Sequence, residues 1–398
     1  MRSSKAVSLD ITLADGQAHT QLESSLMSLP QAPVTARGPM RGAVVLATLL
    51  AWLADPAAAI AQAACTSPKD DLFANPFTYT SAHHRPIGTG AIYASDTANA
   101  TKDWLKADLF NINNGNPSGT SLYEVDDGDP FVQINPATTC TASVGMPINM
   151  RIPLGGFPPS TNVNTLECPD NEIVVYDYVN RADPNDDKVY QLRQFFWNGG
   201  SPRAQRNRFL DIRGLGHGLY YGDMVGAPAS GVATLFGVLR GVEIGTPGRP
   251  IEHALSMGLP RKVGPGCNVM LSRDVRLPAT NRDANATQAN YNTGHIPYGA
   301  LMAIPRSVNI LSLGLGETGV RLAAAIQNYG IYITNGGGCT SPALDADQYV
   351  TRNQRLALQA DIKRFYPFIR MVLNNDVFRS TVAGGGTPLA PNCAFDAP

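Results

Sequence analysis

The chain predicts a mainly β fold, a β-sandwich or jelly-roll-like domain with a few helices near its C-terminus. Three observations predict it. Apolar and aromatic runs are short and bounded by Gly, Pro or Asn, as strands are. Charged residues make up only 16% of the chain while Gly and Pro number 38 and 30, so turns are many and solvated helix faces few. Helical periodicity enters only late, at Val320–Tyr329 and Arg355–Tyr366. No internal repeat and no low-complexity linker interrupts the chain.

The elements follow in order. Residues 1–39 are polar, carry Pro30 and Pro33, and read as a non-native upstream extension. Residues 40–63 read as a signal peptide. Arg41 gives the positive start, Ala43–Leu53 the apolar run, and Ala61-Gln62-Ala63 the small-x-small cleavage pattern. That run is too short to span a bilayer, which takes about 20 apolar residues. The expectation is therefore a secreted or periplasmic protein with no transmembrane segment. Residues 64–120, rich in Asn, Pro, Gly and Thr, read as an extended N-terminal arm, anchored near Trp104 and Phe110. Residues 121–398 read as the sandwich domain.

Within that domain the clearest hairpin pairs Glu172–Val179 with Lys188–Trp197 across the turn Asp183–Asp187. Alternation puts Ile173, Val175, Asp177 and Val179 on one face, and Glu172, Val174, Tyr176 and Tyr178 on the other. Further strands are expected at Val232–Leu239, Ile251–Leu259, Asn268–Arg276, Tyr298–Ile304 and Ile331–Asn335. The helix over Val320–Tyr329 ends at Gly330, a fitting C-cap, and the helix over Arg355–Tyr366 stops before Pro367.

All six cysteines lie beyond the expected cleavage point, which suits three disulfides in an oxidising compartment. Spacing favours Cys140–Cys168 and Cys339–Cys393 as local closures, with Cys65 left to Cys267. The net charge of −1 gives no reason to expect nucleic acid or an anionic membrane as partner.

Around Ala229–Arg240 the chain reads A-S-G-V-A-T-L-F-G-V-L-R. Glu243-Ile244, His253-Ala254-Leu255 and Tyr329-Gly330 follow, the last running into a strand. With Met146–Pro153 and the strand around Asp177, this pattern resembles a group of exported bacterial β-sandwich proteins. The resemblance covers roughly Met146 to Gly338. It implies an exported β-sandwich associated with extracellular polysaccharide and transfers no named active residue. The chain departs from the pattern in insertions at Ser201–Arg213 and Thr280–Thr293.

Candidate catalytic residues come from ionisable groups on apolar strand faces. His253 shares its expected face with Ile251 and Leu255. It reads as a general base or acid, as a core histidine with its hydrogen bonds met, or, least of the three, as a metal ligand. Asp177 reads as a general acid raised by burial, or as a carboxylate paired with an Arg. Glu243 could serve as the second carboxylate of a glycosidase, or cap the turn after Arg240. Arg240, His253, Tyr298 and Asn335 hold the residue types of a polysaccharide lyase: a base and groups that steady an enolate. Tyr176, Tyr178 and Trp197 offer a sugar-stacking row whose plainer reading is sheet packing. His217 sits in the glycine loop Gly214–Gly222, read as exposed. Asp183, Asp186 and Asp187 supply oxygens of the kind calcium takes, though a solvated turn needs no ion; no other cofactor or metal is expected. Gly314-Leu-Gly316-Glu-Thr-Gly319 has the dinucleotide spacing but lacks the acid about 20 residues on. The expected function is an exported carbohydrate-active protein, a lyase or glycoside hydrolase acting on an extracellular polysaccharide. The alternative is a non-catalytic carbohydrate-binding or cell-envelope structural protein.

Overall fold

The computed structural model describes residues 76–78, 80–113, 120–137, 140, 146–154, 156–157, 171–177, 188–198 and 201–375. The expected leader and signal segment lie outside them, as do Cys65, Cys168 and Cys393. So do Tyr178, the side chain of Trp197 and the Asp183–Asp187 turn.

The regular elements run as follows. Helix α1 spans Asn99–Trp104. Strands β1 to β4 span Asn111–Asn113, Thr120–Val125, Phe131–Pro136 and Ile148–Arg151. Strands β5 to β9 span Glu172–Asp177, Lys188–Arg193, Phe196–Asn198, Ser201–Ala204 and Arg206–Leu210. A one-turn helix α2, Gly241–Gly245, precedes β10, Leu255–Pro260, and β11, Leu271–Val275. Strands β12 and β13 span Ile296–Tyr298 and Leu301–Ala303, and α3 spans Glu317–Asn328. Then come β14 (Ile331–Gly337), β15 (Ala343–Asp345), α4 (Arg352–Phe365) and β16 (Arg370–Met371). The fold is mainly β, as expected: strands in several mixed sheets with a few short helices.

The largest sheet has six strands in the order β1-β15-β10-β14-β13-β16. Its centre, β10 against parallel β14, consists of wholly buried residues over Leu255–Met257 and Ile331–Ile333. Helices α3 and α4 cover it. Leu322, Ala323 and Ile326 of α3 and Leu358, Ile362 and Phe365 of α4 recur at helical spacing and join Leu255, Met257 and Ile331 in one core cluster. Thr351 starts α4 with a reciprocal cap: its hydroxyl accepts the Gln354 N–H, and the Gln354 side chain accepts the Thr351 N–H. Trp104 of the expected arm stacks on Tyr366 at 4.6 Å, and β1 pairs with β15.

A four-stranded sheet, β2-β5-β6-β9, carries the predicted hairpin strands, paired with Glu172 opposite Arg193 and Asp177 opposite Lys188. Strand β5 is buried on both faces. Ile173 and Val175 join one apolar cluster, Val174 and Tyr176 another. The hairpin's second strand is shorter than expected. Gln194 takes a positive φ of 50°, and Asn171 holds Phe195 through both its backbone groups, so Phe196–Asn198 turns into a second sheet, β4-β3-β8-β7. Strands β11 and β12 form a small parallel pair.

Two expectations are corrected. Val232–Leu239 is buried but forms no strand. It is a turn-rich plug in the second apolar cluster, and Gly237 explains why. Its φ of +76° favours glycine, and a Cβ there would collide with the backbone of Leu255 and Ser256. The cysteine pairing also differs. Cys339 bonds to Cys267 across 72 residues, which removes both Cys339–Cys393 and Cys65–Cys267. Strand ends Leu259–Pro260 and Gly336–Gly337 lie side by side in the β10–β14 ladder, so their continuations meet directly, and sequence spacing gave no sight of that.

Candidate functional site: an arginine-walled cavity

His253 lies before β10, not within it, because the ladder opens only where Leu255 donates to the Gly330 carbonyl at 2.9 Å. It is buried, and both ring nitrogens face oxygens: Nε2 to Glu243 Oε1 at 3.0 Å, Nδ1 to the Ala254 carbonyl at 2.8 Å. Neither ring nitrogen is left without a partner. His83 stacks on it at 4.6 Å, and His83 Nδ1 accepts the Gly237 N–H at 3.1 Å. Glu243 also accepts the Arg240 N–H at 2.9 Å, the α2 cap foreseen as its plainer role. Burial would push its carboxyl up; His253 and Arg240 outweigh that and hold it below the usual range. The cluster is a satisfied polar core that pins the Gly237 plug to β10.

The other expected residues disperse. Asp177 pairs with Arg151 at 3.0 Å, while Glu243 is committed to His253. Burial raises the Asp177 carboxyl against the opposing pull of Arg151. Tyr176 packs inside the sheet core. His217 is buried, not exposed: its Nδ1 donates to the Gly218 carbonyl at 2.9 Å, and burial lowers its pKa. Asn335 accepts from the neighbouring Gly336 N–H. Tyr298 lies elsewhere, fully buried, its hydroxyl donating to Asp283 Oδ2 at 2.6 Å. Burial and Asp283 together push that phenol far above its usual range.

Tyr298 leads to the chemistry the sequence reading passed over. Asp283 lines a cavity of about 480 Å³ together with Arg193, Arg206, Arg261 and Arg282. Gln194, Gln205, Asn285 and Gln288 complete its polar wall. Four guanidinium groups thus face one carboxylate. Each comes from a different segment: Arg193 ends β6, Arg206 begins β9, Arg261 follows β10, and Arg282 sits in the loop before β12. Arg261 is fixed most firmly. Its Nη1 donates to Asn285 Oδ1 and lies 3.7 Å from Asp283 Oδ2, and its guanidinium stands 5.2 Å over the Tyr291 ring. Gly336 makes room for it, since a Cβ there would strike both Arg261 and Asp283.

Arg193 and Arg206 are direct partners across the β6–β9 ladder. Like charges in that position oppose pairing. Both reach the Ala227 carbonyl, at 3.5 Å and 3.1 Å, and Glu172 offsets Arg193 at 3.4 Å. The crowding remains. Burial, then Arg193 and Arg208, depress the Arg206 pKa. The arrangement is built to receive negative charge, and its forked donors suit a planar carboxylate. The loop bearing exposed Tyr220 and Tyr221 is tied to the segment that leads to Arg282, Gly222 N–H donating to the Thr280 carbonyl at 2.7 Å.

The sequence carried a signal for this cavity: Arg206 falls in the Arg-rich stretch Ser201–Arg213, and Arg282, Asp283, Asn285 and Gln288 fall in the Asn-rich stretch Thr280–Thr293. Comparison with protein families, curated proteins and solved structures finds no match for this chain.

Proposed function

We propose that this is an exported carbohydrate-active protein that binds uronate-bearing polysaccharide in the arginine cavity and cleaves it as a lyase. The observation that carries the reading is the convergence of Arg193, Arg206, Arg261 and Arg282 on one amide-lined cavity. Guanidinium forks take the uronate carboxylate, and Gln and Asn side chains take ring hydroxyls, donor and acceptor at once. The Cys267–Cys339 disulfide supports an oxidising compartment.

Asp283 is the one carboxylate among the described lining residues, which favours elimination over hydrolysis, since glycosidases use two. Asp283, oriented by the Tyr298 hydroxyl, takes the proton from the carbon bearing the carboxylate. The released electron pair forms a double bond to the adjacent ring carbon as that carbon loses its glycosidic oxygen. The departing oxygen takes the proton back from Asp283. Arg261 holds the carboxylate while charge builds on it. Asp283 already accepts from the Tyr298 hydroxyl and faces Arg261, and this occupancy favours a second reading: acidic-polysaccharide binding without turnover.

The test incubates the folded, oxidised protein with oligouronates and with neutral oligosaccharides of equal length. Binding is followed by calorimetry and cleavage by the ultraviolet absorbance of unsaturated uronate. Selective binding lost in Arg206→Ala and Arg261→Ala supports the reading, and absorbance lost in Asp283→Asn selects the lyase. Equal binding of neutral and acidic oligomers, or of neither, defeats it. Inorganic phosphate and a short oligonucleotide run beside them separate a sugar site from a general anion site.

A further inference from the structure

Resting on that acidic-polysaccharide reading, we infer that the polysaccharide carries O-acetyl esters and that a second cavity, further along β9, receives them. This second cavity, about 680 Å³, is lined by Met146, Ile148, Arg208, Phe209, Met224 and Val225 among others. Most of its wall is apolar, yet it lies open: Met146 and Phe209 are 80% and 59% exposed.

Two segments contribute to both cavities. The first is β9. Arg206 lines the arginine cavity and Arg208, two residues on and on the same strand face, lines the apolar one. The second is the segment opposite. Ala229 lines the arginine cavity, the Ala227 carbonyl accepts from Arg206, and the Val225 carbonyl accepts from Gln191 at 3.1 Å. Gln191 is the cross-strand partner of Arg208. The segment therefore runs alongside β9 from one cavity to the other. A third contact closes the corner: Asn281, next to Arg282, lies 3.2 Å from the Met224 sulfur.

A glycan lying along β9 would thus meet positive charge at Arg206 and, further along, an apolar recess with one guanidinium in its wall. A plain polyuronate has nothing to place there, because every substituent is charged or hydroxylic. An acetyl ester does. Its methyl group suits Met224 and Val225 on the Arg208 side of β9 and its carbonyl accepts from Arg208, while Phe209 alternates to the other side of this edge strand and walls the recess there. Asn207 also lines the recess, but its amide is already spent on the Met146 carbonyl at 2.7 Å. Asp211, also in the wall, repels a second carboxylate and so favours a neutral ester there.

The experiment uses one O-acetylated polyuronate and the same polymer after alkaline de-acetylation. The wild-type protein is expected to bind the acetylated form about three- to fivefold more tightly, the worth of one buried methyl group. Phe209→Ala and Met224→Ala are each expected to remove that preference and leave affinity for the de-acetylated polymer unchanged. Equal wild-type affinity for the two polymers overturns the inference, as does a preference that survives both substitutions, while acidic binding itself stands. Failure to bind either polymer removes the acidic-polysaccharide reading and this inference with it. Loss of binding to both polymers in a folded Phe209→Ala protein would mean that Phe209 holds the sugar chain and not its ester, and overturns the inference too.

Discussion

Replacing Cys267 and Cys339 with Ala should cost the fold about 4 kcal/mol. The bond closes a loop of 72 residues. A cross-link of that span removes about 15 cal/mol/K from the unfolded chain, or about 4.4 kcal/mol at 25 °C. The folded state offers little to offset this, since its ends are already held without the sulfur. Asn268 N–H donates to the Cys339 carbonyl at 2.7 Å, its side chain to the Thr340 carbonyl at 2.9 Å, and Arg261 N–H to the Gly338 carbonyl at 3.3 Å. Native geometry should survive, so the loss falls on the unfolded side. Against a typical total of about 5–15 kcal/mol it is a large part of the whole. Equilibrium urea unfolding of wild type and the double-alanine protein measures it. The midpoint should fall, and the slope should rise because the freed chain exposes more surface. A loss under about 1 kcal/mol with an unchanged slope would refute the reasoning, by showing that the unfolded chain keeps these ends together without the bond.

Three more outcomes are expected. His253→Ala should destabilise by about 3 kcal/mol in urea, because it leaves the Glu243 carboxylate buried beside an empty space, while oligouronate affinity stays unchanged. Arg206→Gln should be neutral or stabilising by roughly 0.5 kcal/mol, since it relieves the like-charge contact with Arg193, yet abolish oligouronate binding in calorimetry. Asp345, beside Ser256 Oγ at 2.9 Å, has its carboxyl pushed up to about 7 by burial and by Glu172. From its ordinary 3.8 up to about 7 the folded carboxyl keeps a proton that the unfolded one has lost, so stability falls as pH rises through that window, by at most about 4 kcal/mol. Asp345→Asn should flatten that slope relative to wild type and gain stability at pH 8. An identical slope in both proteins would contradict it.

What the sequence disclosed was what local pattern can carry. Alternation in Glu172–Asp177 placed Ile173 and Val175 apart from Val174 and Tyr176, and the two pairs do enter different clusters. Periodicity and caps located α3 and α4 to within three residues at their starts. Failure came where a long-range contact overrode the local signal. Val232–Leu239 has a strand's composition, but a positive-φ glycine pressed against β10 makes it a plug. His217 sits among glycines and so reads as exposed, yet its ring lies near Phe236 at 6.4 Å in the interior. Composition around a residue reports its chain neighbours, not what the fold lays over it.

The same limit explains which site residues stood out and which did not. A histidine or carboxylate within an apolar run draws the eye because burying it is expensive. That expense can be met by a catalytic task or by hydrogen bonds, and for His253 and Asp177 hydrogen bonds and ion pairs already meet it. An arginine in a polar stretch draws no attention, because at the surface it needs no explanation. Only the fold turns Arg193 and Arg206 into cross-strand neighbours and brings Arg261 and Arg282 to the same cavity. Once they meet, the energetic argument reverses. The histidine cluster is stable without any ligand, whereas the arginine wall carries a repulsion that nothing in its own lining but Asp283 offsets. A chain with a net charge of −1 had no shortage of acids to place there. Even with Glu172 beside Arg193 the guanidinium groups outnumber the carboxylates here, a repulsion that lowers stability and that an entering anion would relieve, so this wall, and not the buried histidine, is where an anion would have the larger effect.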